Sequence, residues 1–350
     1  MPPMSDLRTV AWIHGRVRMI DQTKLPYRFT YVSFTNYRQV ATAIKTMVVR
    51  GAPAIGAAAA MGLALAANAN RKKPREQLLR ELEVAAGVIR SSRPTAWNLF
   101  WATDRVMQRA KETAGDGADV ALAVVEEAQK IAEEDVAASH RIGESGAALI
   151  EDGDRILTHC NTGTLATVSY GSALAPIRTA VAQGKKIKVI ATETRPRLQG
   201  AKLTTYELLH DGIPVTLIVD GAAGYVMKKG MVQRVIVGAD RISAKYVANK
   251  VGTYLIALAA KANNVPFYVA APSSTFDLRS ENSDIEIEER DPQEITHIAR
   301  QRIVPTGVPV YNPAFDITPL ELVQGFITEK GVIAPDKLQG LGPTLRTENR

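Results

Sequence analysis

From residue 155 onward, short apolar runs alternate with stretches of helical spacing, and this alternation restricts the possible fold more than any other feature. Strands are expected at 155–159, 186–191, 214–219, 234–237, 266–271 and 308–311. Helices are expected between them, at 164–182, 203–211, 222–229, 249–263 and 319–329. Repeated β-α units need crossover connections, which put helices on both faces of a parallel sheet. The reading is therefore an α/β chain whose residues 131–350 form a Rossmann-like parallel sheet. No G-x-G-x-x-G follows the first strand, so a dinucleotide site of the usual kind is not supported.

The first 130 residues carry a different pattern. Short alternating stretches flank the turn His14-Gly15, which suits a small antiparallel sheet. Residues 37–49, 53–68, 72–92, 94–113 and 119–140 have helical spacing, so 1–130 reads as a smaller, mostly helical domain with a short antiparallel sheet. The weakly polar run 52–67 is alanine-rich and broken by glycine, and it reads as a buried helix, not a membrane span. With 46% hydrophobic residues, 350 residues are enough to bury two such cores. The net charge of +7 allows a nucleic-acid partner, but the basic residues are scattered, not striped. An anionic small substrate explains a few of them and a solvated surface the rest, so charge alone decides nothing. One cysteine allows no intramolecular disulfide and suits a reducing compartment. With no secretory pattern after Met1, a cytoplasmic location is expected.

Chemistry concentrates where strands should end. The only cysteine, Cys160, follows the strand at 155–159 and precedes Asn161-Thr-Gly-Thr164 and an expected helix. Backbone N–H groups at such a junction favour an anion and lower a thiol pKa. The competing reading is a small buried hydrophobe. Arg50-Gly-Ala-Pro53 ends one helix and starts another, which either cradles phosphate on Arg50, Gly51 and Ala52 or makes a plain corner. Arg93, before Pro94, is a weaker second candidate for phosphate. Glu193, Arg195, Arg197 and Gln199 follow the second strand, Asp240 follows the fourth, and Asn249-Lys250 opens the next helix in this reading. A carboxyl at a buried strand end can act as a general acid. Asp240 as a helix cap or ion pair, and Lys250 as a surface lysine, are the alternatives. Cys160, Gln199, Asp240 and Lys250 all fall at the same edge of one expected sheet, where α/β folds bind ligands. The acidic run 284–291 reads as a solvated loop, Thr318 as the N-cap of the last helix, and 340–350 as a tail. No zinc spacing or other ligand cluster is visible, so neither metal nor cofactor is expected.

Eight motifs in order resemble one family: DQTKLP (21–26), RGAPAIG (50–56), RPTAWNL (93–99), THCNTG (158–163), ETRPRLQGAKLT (193–204), VGADRI (237–242), ANKVGTY (248–254) and YNPAFDITP (311–319). They span nearly the whole chain. The resemblance is to the methylthioribose-1-phosphate isomerases, within a wider family that includes regulatory subunits of a translation initiation exchange factor. It implies isomerisation of 5-methylthioribose 1-phosphate to the ketose in methionine salvage, without metal or cofactor, by a homodimer. The expected partner is thus a small sugar phosphate, neither nucleic acid nor membrane. By this resemblance Cys160 and Asp240 are the catalytic pair. Arg50, Gly51, Ala52, Arg93, Gln199, Asn249 and Lys250 contact the substrate. DQTKLP is associated with the methylthio branch, and Trp12, Tyr27 and Trp97 offer apolar surface for the C5 substituent. A ribose 1,5-bisphosphate isomerase and a non-catalytic exchange-factor-like subunit are the alternatives.

Overall fold

The computed structural model describes residues 3–278 and 287–341. The chain opens with β1 (Val10–Ile13), β2 (Arg16–Ile20) and β3 (Tyr31–Phe34), an antiparallel sheet in that order. The β1–β2 turn puts His14 and Gly15 at φ 47° and 74°, the left-handed pair that a two-residue hairpin requires. Next come α1 (Tyr37–Lys45), α2 (Ala52–Asn70), α3 (Arg75–Arg90), α4 (Trp97–Glu112) and α5 (Gly117–Ala147). Helix α2 is apolar all round, which is how a helix enclosed by other helices reads. It is long and apolar enough to cross a membrane by length and composition, but it lies in the protein interior, packed by α1, α3, α4 and α5. A capping box between Asp116 and Asp119 starts α5. This 31-residue helix runs past residue 130 and packs against both α2 and the first helix of the α/β region.

The α/β region comprises β4 (Arg155–Thr158), α6 (Leu174–Ala182), β5 (Lys188–Thr192), α7 (Thr205–His210), β6 (Val215–Ile218), α8 (Ala223–Lys228) and β7 (Arg234–Val237). It continues with β8 (Arg241–Ile242), β9 (Tyr246–Lys250), α9 (Thr253–Ala262), β10 (Phe267–Ala270), α10 (Gln293–Thr296), β11 (His297–Ile298), β12 (Gln301–Arg302), β13 (Phe315–Pro319), β14 (Gly325–Thr328) and β15 (Gly331–Ile333). The main sheet has the order β15-β14-β10-β7-β4-β5-β6, parallel except for β15. Strand alternation sorts its core. Ile156, Ile236, Ala270 and Ile327 face α5 and α6, while Leu157, Val235, Val237, Val269 and Phe326 face α8 and α9. The strand order reverses at β4, whose neighbours are β5 and β7. Ligands bind beyond the carboxyl ends of strands at such a switch point.

Five of the six expected strands are present within two residues, and five local expectations fail. Residues 308–311 form no strand: Val308 is exposed and Tyr311 is 75% exposed, leaving no face to bury. The expected helix at 319–329 contains β14, whose four residues are all buried beside β10. Its apolar run serves a strand enclosed on both faces, and periodicity cannot separate that from a buried helix. Thr318 accordingly lies in β13 and caps nothing. Asn249 and Lys250 do not open a helix but end β9, and α9 starts after Gly252 at φ 105°. The expected helix at 164–182 begins only at Leu174. Before it, the Thr167 hydroxyl donates to the Ser169 carbonyl and accepts from Gly171 N–H, an alternative to helix that hydroxyl residues offer the backbone. Residues 279–286 and 342–350 lie outside the described residues, and with them part of the acidic run and most of the tail.

Candidate active site

The carboxyl ends of β4, β5 and β7 face the N-terminus of α2 across a cavity. The nine residues that the resemblance assigns to catalysis and substrate all line it: Arg50, Gly51, Ala52, Arg93, Cys160, Gln199, Asp240, Asn249 and Lys250. Cys160 and Asp240 hang from adjacent strands on either side of the switch point. They are distant in sequence and adjacent because the strand order reverses there.

Cys160 sits at φ 65°, uncommon for a residue with a side chain, and its backbone is tied at both ends. Its N–H donates to Thr194 Oγ1 at 2.9 Å, and its carbonyl accepts from Thr204 Oγ1 at 2.6 Å. Beside it, buried His159 donates from Nε2 to the Val251 carbonyl at 2.9 Å and accepts at Nδ1 from Thr192 Oγ1 at 2.6 Å. Burial lowers its pKa and keeps the ring neutral. The expectation of a lowered thiol pKa fails. Burial pushes the Cys160 thiol up, although Arg50 and Lys250 pull the other way. The N–H groups of Thr164 and Leu165 carry an anion of the protein's own, since both donate to Glu207.

Glu207 anchors the loop. It is fully buried and also accepts from Asn161 Nδ2 at 2.8 Å and from Arg178 at 2.8 Å, while Arg178 also pairs with Asp211. Asn161 passes this order to Arg50, whose guanidinium donates to the Asn161 carbonyl at 3.0 Å and to its side-chain oxygen. Arg50 Nε donates to Gln22 Oε1 at 3.2 Å, and Gln22 is held by the Leu165 carbonyl. Gln22, from the segment 21–26, thus helps to aim the arginine. Gly51 at φ 92° leads into α2, with the backbone of Ala166 only 2.5 Å from where a Cβ would stand. No side chain caps α2, so its first N–H groups are left for a ligand.

The remaining groups are desolvated. Burial raises the Asp240 pKa against the pull of Lys250, Arg93 and Arg50. Lys250 is lowered by burial; it donates to the Ala314 carbonyl at 2.6 Å and lies 4.8 Å from the Phe315 ring centre. Arg93 pairs with Glu288 at 2.7 Å, and Glu288 also pairs with Arg290 at 2.7 Å. That part of the acidic run is therefore no solvated loop: it neutralises the site's arginine. Arg195 and Arg197 turn away to the Ile295 carbonyl and Glu294, so among that rim's residues Gln199 is the one lining the cavity. Trp97, Met47 and Phe315 give the cavity an apolar wall. Tyr27 is 93% exposed and Trp12 packs on the helical core, so neither contributes.

The Initiation factor 2 subunit family model matches residues 48–335. The chain belongs to the initiation factor 2 subunit family. It is 52% identical over 339 residues to the methylthioribose-1-phosphate isomerase of Chloroflexus aurantiacus, covering 96% of this chain and 98% of that one. It is 51% identical to the 5-deoxyribose 1-phosphate isomerase of Moorella thermoacetica, covering 97% and 98%. Among solved family members, 5-methylthioribose 1-phosphate isomerase from Pyrococcus horikoshii superposes with a TM-score of 0.89 at 44% identity, covering 98% of this chain and 96% of that one. A structure described as translation initiation factor eIF-2B subunit delta from A. fulgidus gives 0.85 at 48% identity, covering 97% and 100%. The α/β architecture read from the sequence is the family fold. Glu207, Asn161, Gln22 and Glu288 were not anticipated as parts of the site. Asn161 and Gln22 do fall within the motifs quoted above, which was the available signal, whereas nothing local to Glu207 or Glu288 marks either.

Proposed function

We propose that this protein is an aldose–ketose isomerase of methionine salvage that converts 5-methylthioribose 1-phosphate to 5-methylthioribulose 1-phosphate. One observation carries the reading: a carboxyl and a thiol, both pushed toward their protonated forms, share a desolvated cavity with Arg50, Arg93 and Lys250. A phosphate on the anomeric oxygen prevents spontaneous opening of the sugar, so a proton must reach the ring oxygen. Asp240, whose protonated form burial favours, is the donor. Arg50, Arg93, Lys250 and the α2 N-terminus hold the phosphate, with Gly51, Ala52, Gln199 and Asn249 completing the pocket. As the ring opens, hydrogen moves from C2 to C1, and the C2 hydroxyl gives its proton to the Asp240 carboxylate. A buried thiol with a raised pKa is a poor base for C2, which favours direct hydride transfer with neutral Cys160 alongside. Running the reaction in D₂O tests this. Hydride transfer leaves C1 of the product free of deuterium, and solvent deuterium at C1 would make Cys160 a proton carrier.

The apolar wall of Met47, Trp97 and Phe315 supports a methylthio or methyl group at C5 over a second phosphate. Steady-state assays of 5-methylthioribose 1-phosphate, 5-deoxyribose 1-phosphate and ribose 1,5-bisphosphate decide the order, and faster turnover of the bisphosphate would sink the assignment. A cytoplasmic homodimer completes the proposal. Exposed Leu217, Val219, Tyr225, Leu255 and Leu258 lie on or beside β6, α8 and α9, where a second copy would cover them.

A further inference from the structure

Buried polar atoms nearly always have partners, so an orphan needs a reason. Four such atoms without a partner among the described residues line this one cavity: Arg93 Nε, Asn98 Oδ1, Thr162 Oγ1 and Gln199 Oε1. Arg93 and Gln199 are already assigned to the substrate above. Asn98 and Thr162 are not.

Asn98 belongs to the first turn of α4 and is 2% exposed. Its Nδ2 is directed to Ser274 Oγ at 3.4 Å, which leaves Oδ1 for the cavity. Thr162 stands in the loop after Cys160, above Gly238 in the loop that carries Asp240. Its methyl is the group nearest Gly238, 2.2 Å from where a Cβ would stand, with the hydroxyl at 3.1 Å. Only glycine at 238 allows this approach, and the packed methyl fixes the direction of the hydroxyl.

The chemistry of these atoms separates them from the phosphate site. Carbonyl oxygens accept and do not donate, and a phosphate dianion has no proton to offer them, whereas sugar hydroxyls do. A threonine hydroxyl both donates and accepts, so it can follow a sugar oxygen that changes from alcohol to ketone. We propose that Asn98 and Thr162, with Gln199, recognise the ribose hydroxyls of the substrate, an inference that rests on the sugar-phosphate reading above. No side chain among the described residues partners these atoms, and the sugar hydroxyls supply partners for them. A site built to hydrogen-bond hydroxyls rejects analogues without them far more strongly than an apolar pocket discriminates.

Thr162→Val is the decisive variant because it keeps the shape and removes only the hydroxyl. We expect its melting temperature to stay the same or rise, since no existing hydrogen bond is lost. The apparent affinity for 5-methylthioribose 1-phosphate should fall roughly 5- to 30-fold, the range for one or two lost hydrogen bonds. Inhibition by inorganic phosphate should stay unchanged, and Thr162→Ser should restore the sugar phosphate. Asn98→Leu should show the same split between the two ligands. A lower melting temperature with equal weakening of both ligands would make the hydroxyl a structural group and overturn the proposal. Unchanged affinity for the sugar phosphate in both variants would overturn it as well. A wild-type protein that binds phosphate but no sugar 1-phosphate would instead take down the isomerase reading itself, along with this one.

Discussion

Asp240 and Cys160 share one physical circumstance, removal from water, and their expected behaviour follows from it. Burial raises both pKa values, so near neutral pH each favours its protonated form over what an exposed group would show. Turnover should therefore be sustained at low pH and decline as pH rises through the raised Asp240 pKa, where the proton for the ring oxygen is lost. Asp240→Asn should abolish that limb of the pH–rate profile and lower kcat by about 10²- to 10⁴-fold with KM little changed. A variant with the wild-type profile would remove Asp240 from proton transfer. The cations are expected to act differently, because in the proposed reading they hold the ground state too. Arg93→Ala should weaken substrate by ~1.5–3 kcal/mol, seen in KM and in the inhibition constant of free phosphate. Arg50→Ala should do the same and also lower the melting temperature, because Arg50 ties Asn161 and Gln22 together. If phosphate inhibits both variants as well as it inhibits the wild type, the anion site lies elsewhere.

At the scale of elements, two junctions position the chemistry. One is the turn into α2, where Gly51 has a positive φ and the Ala166 backbone stands 2.5 Å from where a Cβ would be. Gly51→Ala must push apart α2 and the 160s loop, with a backbone strain of ~1–3 kcal/mol. The expected result is a lower melting temperature and a loss of kcat/KM larger than that of either arginine variant. Normal kinetics in Gly51→Ala would show that the close approach is not needed. The other junction is the loop after β4, held by Glu207 through Asn161, Thr164 and Leu165. Removing one member of a buried ion pair costs about 3–5 kcal/mol. Glu207→Ala should accordingly unfold well below the wild-type temperature, as followed by circular dichroism, whereas a near-normal melt would mean that the loop is held by its other bonds.

At the scale of the whole molecule, α5 joins the helical part to the sheet and carries a titratable group where they meet. Asp135, whose carboxylate accepts the Val168 N–H at 2.7 Å, is raised from 3.8 to about 7, first by burial and then by the charge of Glu329. A raised carboxyl holds more protons folded than unfolded. Its contribution to stability is thus greatest at low pH and is lost as pH rises from about 4 to about 7, with no further change above. Asp316, raised to about 6, adds loss in the lower part of the same window. Asp135→Asn should flatten much of that slope in denaturant titrations across pH, and an unchanged slope would mean that Asp135 is solvated in solution. The apolar surface on α8 and α9 belongs to this scale too: if it forms the proposed homodimer, the wild type should elute as a dimer in size-exclusion chromatography and Leu255→Asp as a monomer, and a wild-type monomer would remove the homodimer.

The strands of the main sheet and the helices between them were legible in residues 155–271, though β8 and β9 were not, because alternation, strand length and glycine breaks act locally. Cys160, Asp240 and the arginine corner were legible for a related reason, since a strand end or helix start announces itself in a few neighbouring residues. What local pattern could not decide was β14, an enclosed strand with the same apolar run as a buried helix, or Lys250, which ends a strand instead of opening a helix. The protonation of the thiol was equally out of reach, because it depends on how much protein surrounds the group and not on the residues beside it. Glu207 meets partners dozens of residues away, and the pairing of Glu288 with the site spans 195 positions to Arg93. The sequence by itself determined the α/β class and the chemical groups present. Only the tertiary structure decided which charges neutralise each other and which polar atoms stay free for a ligand, because that depends on contacts the sheet makes after it has folded.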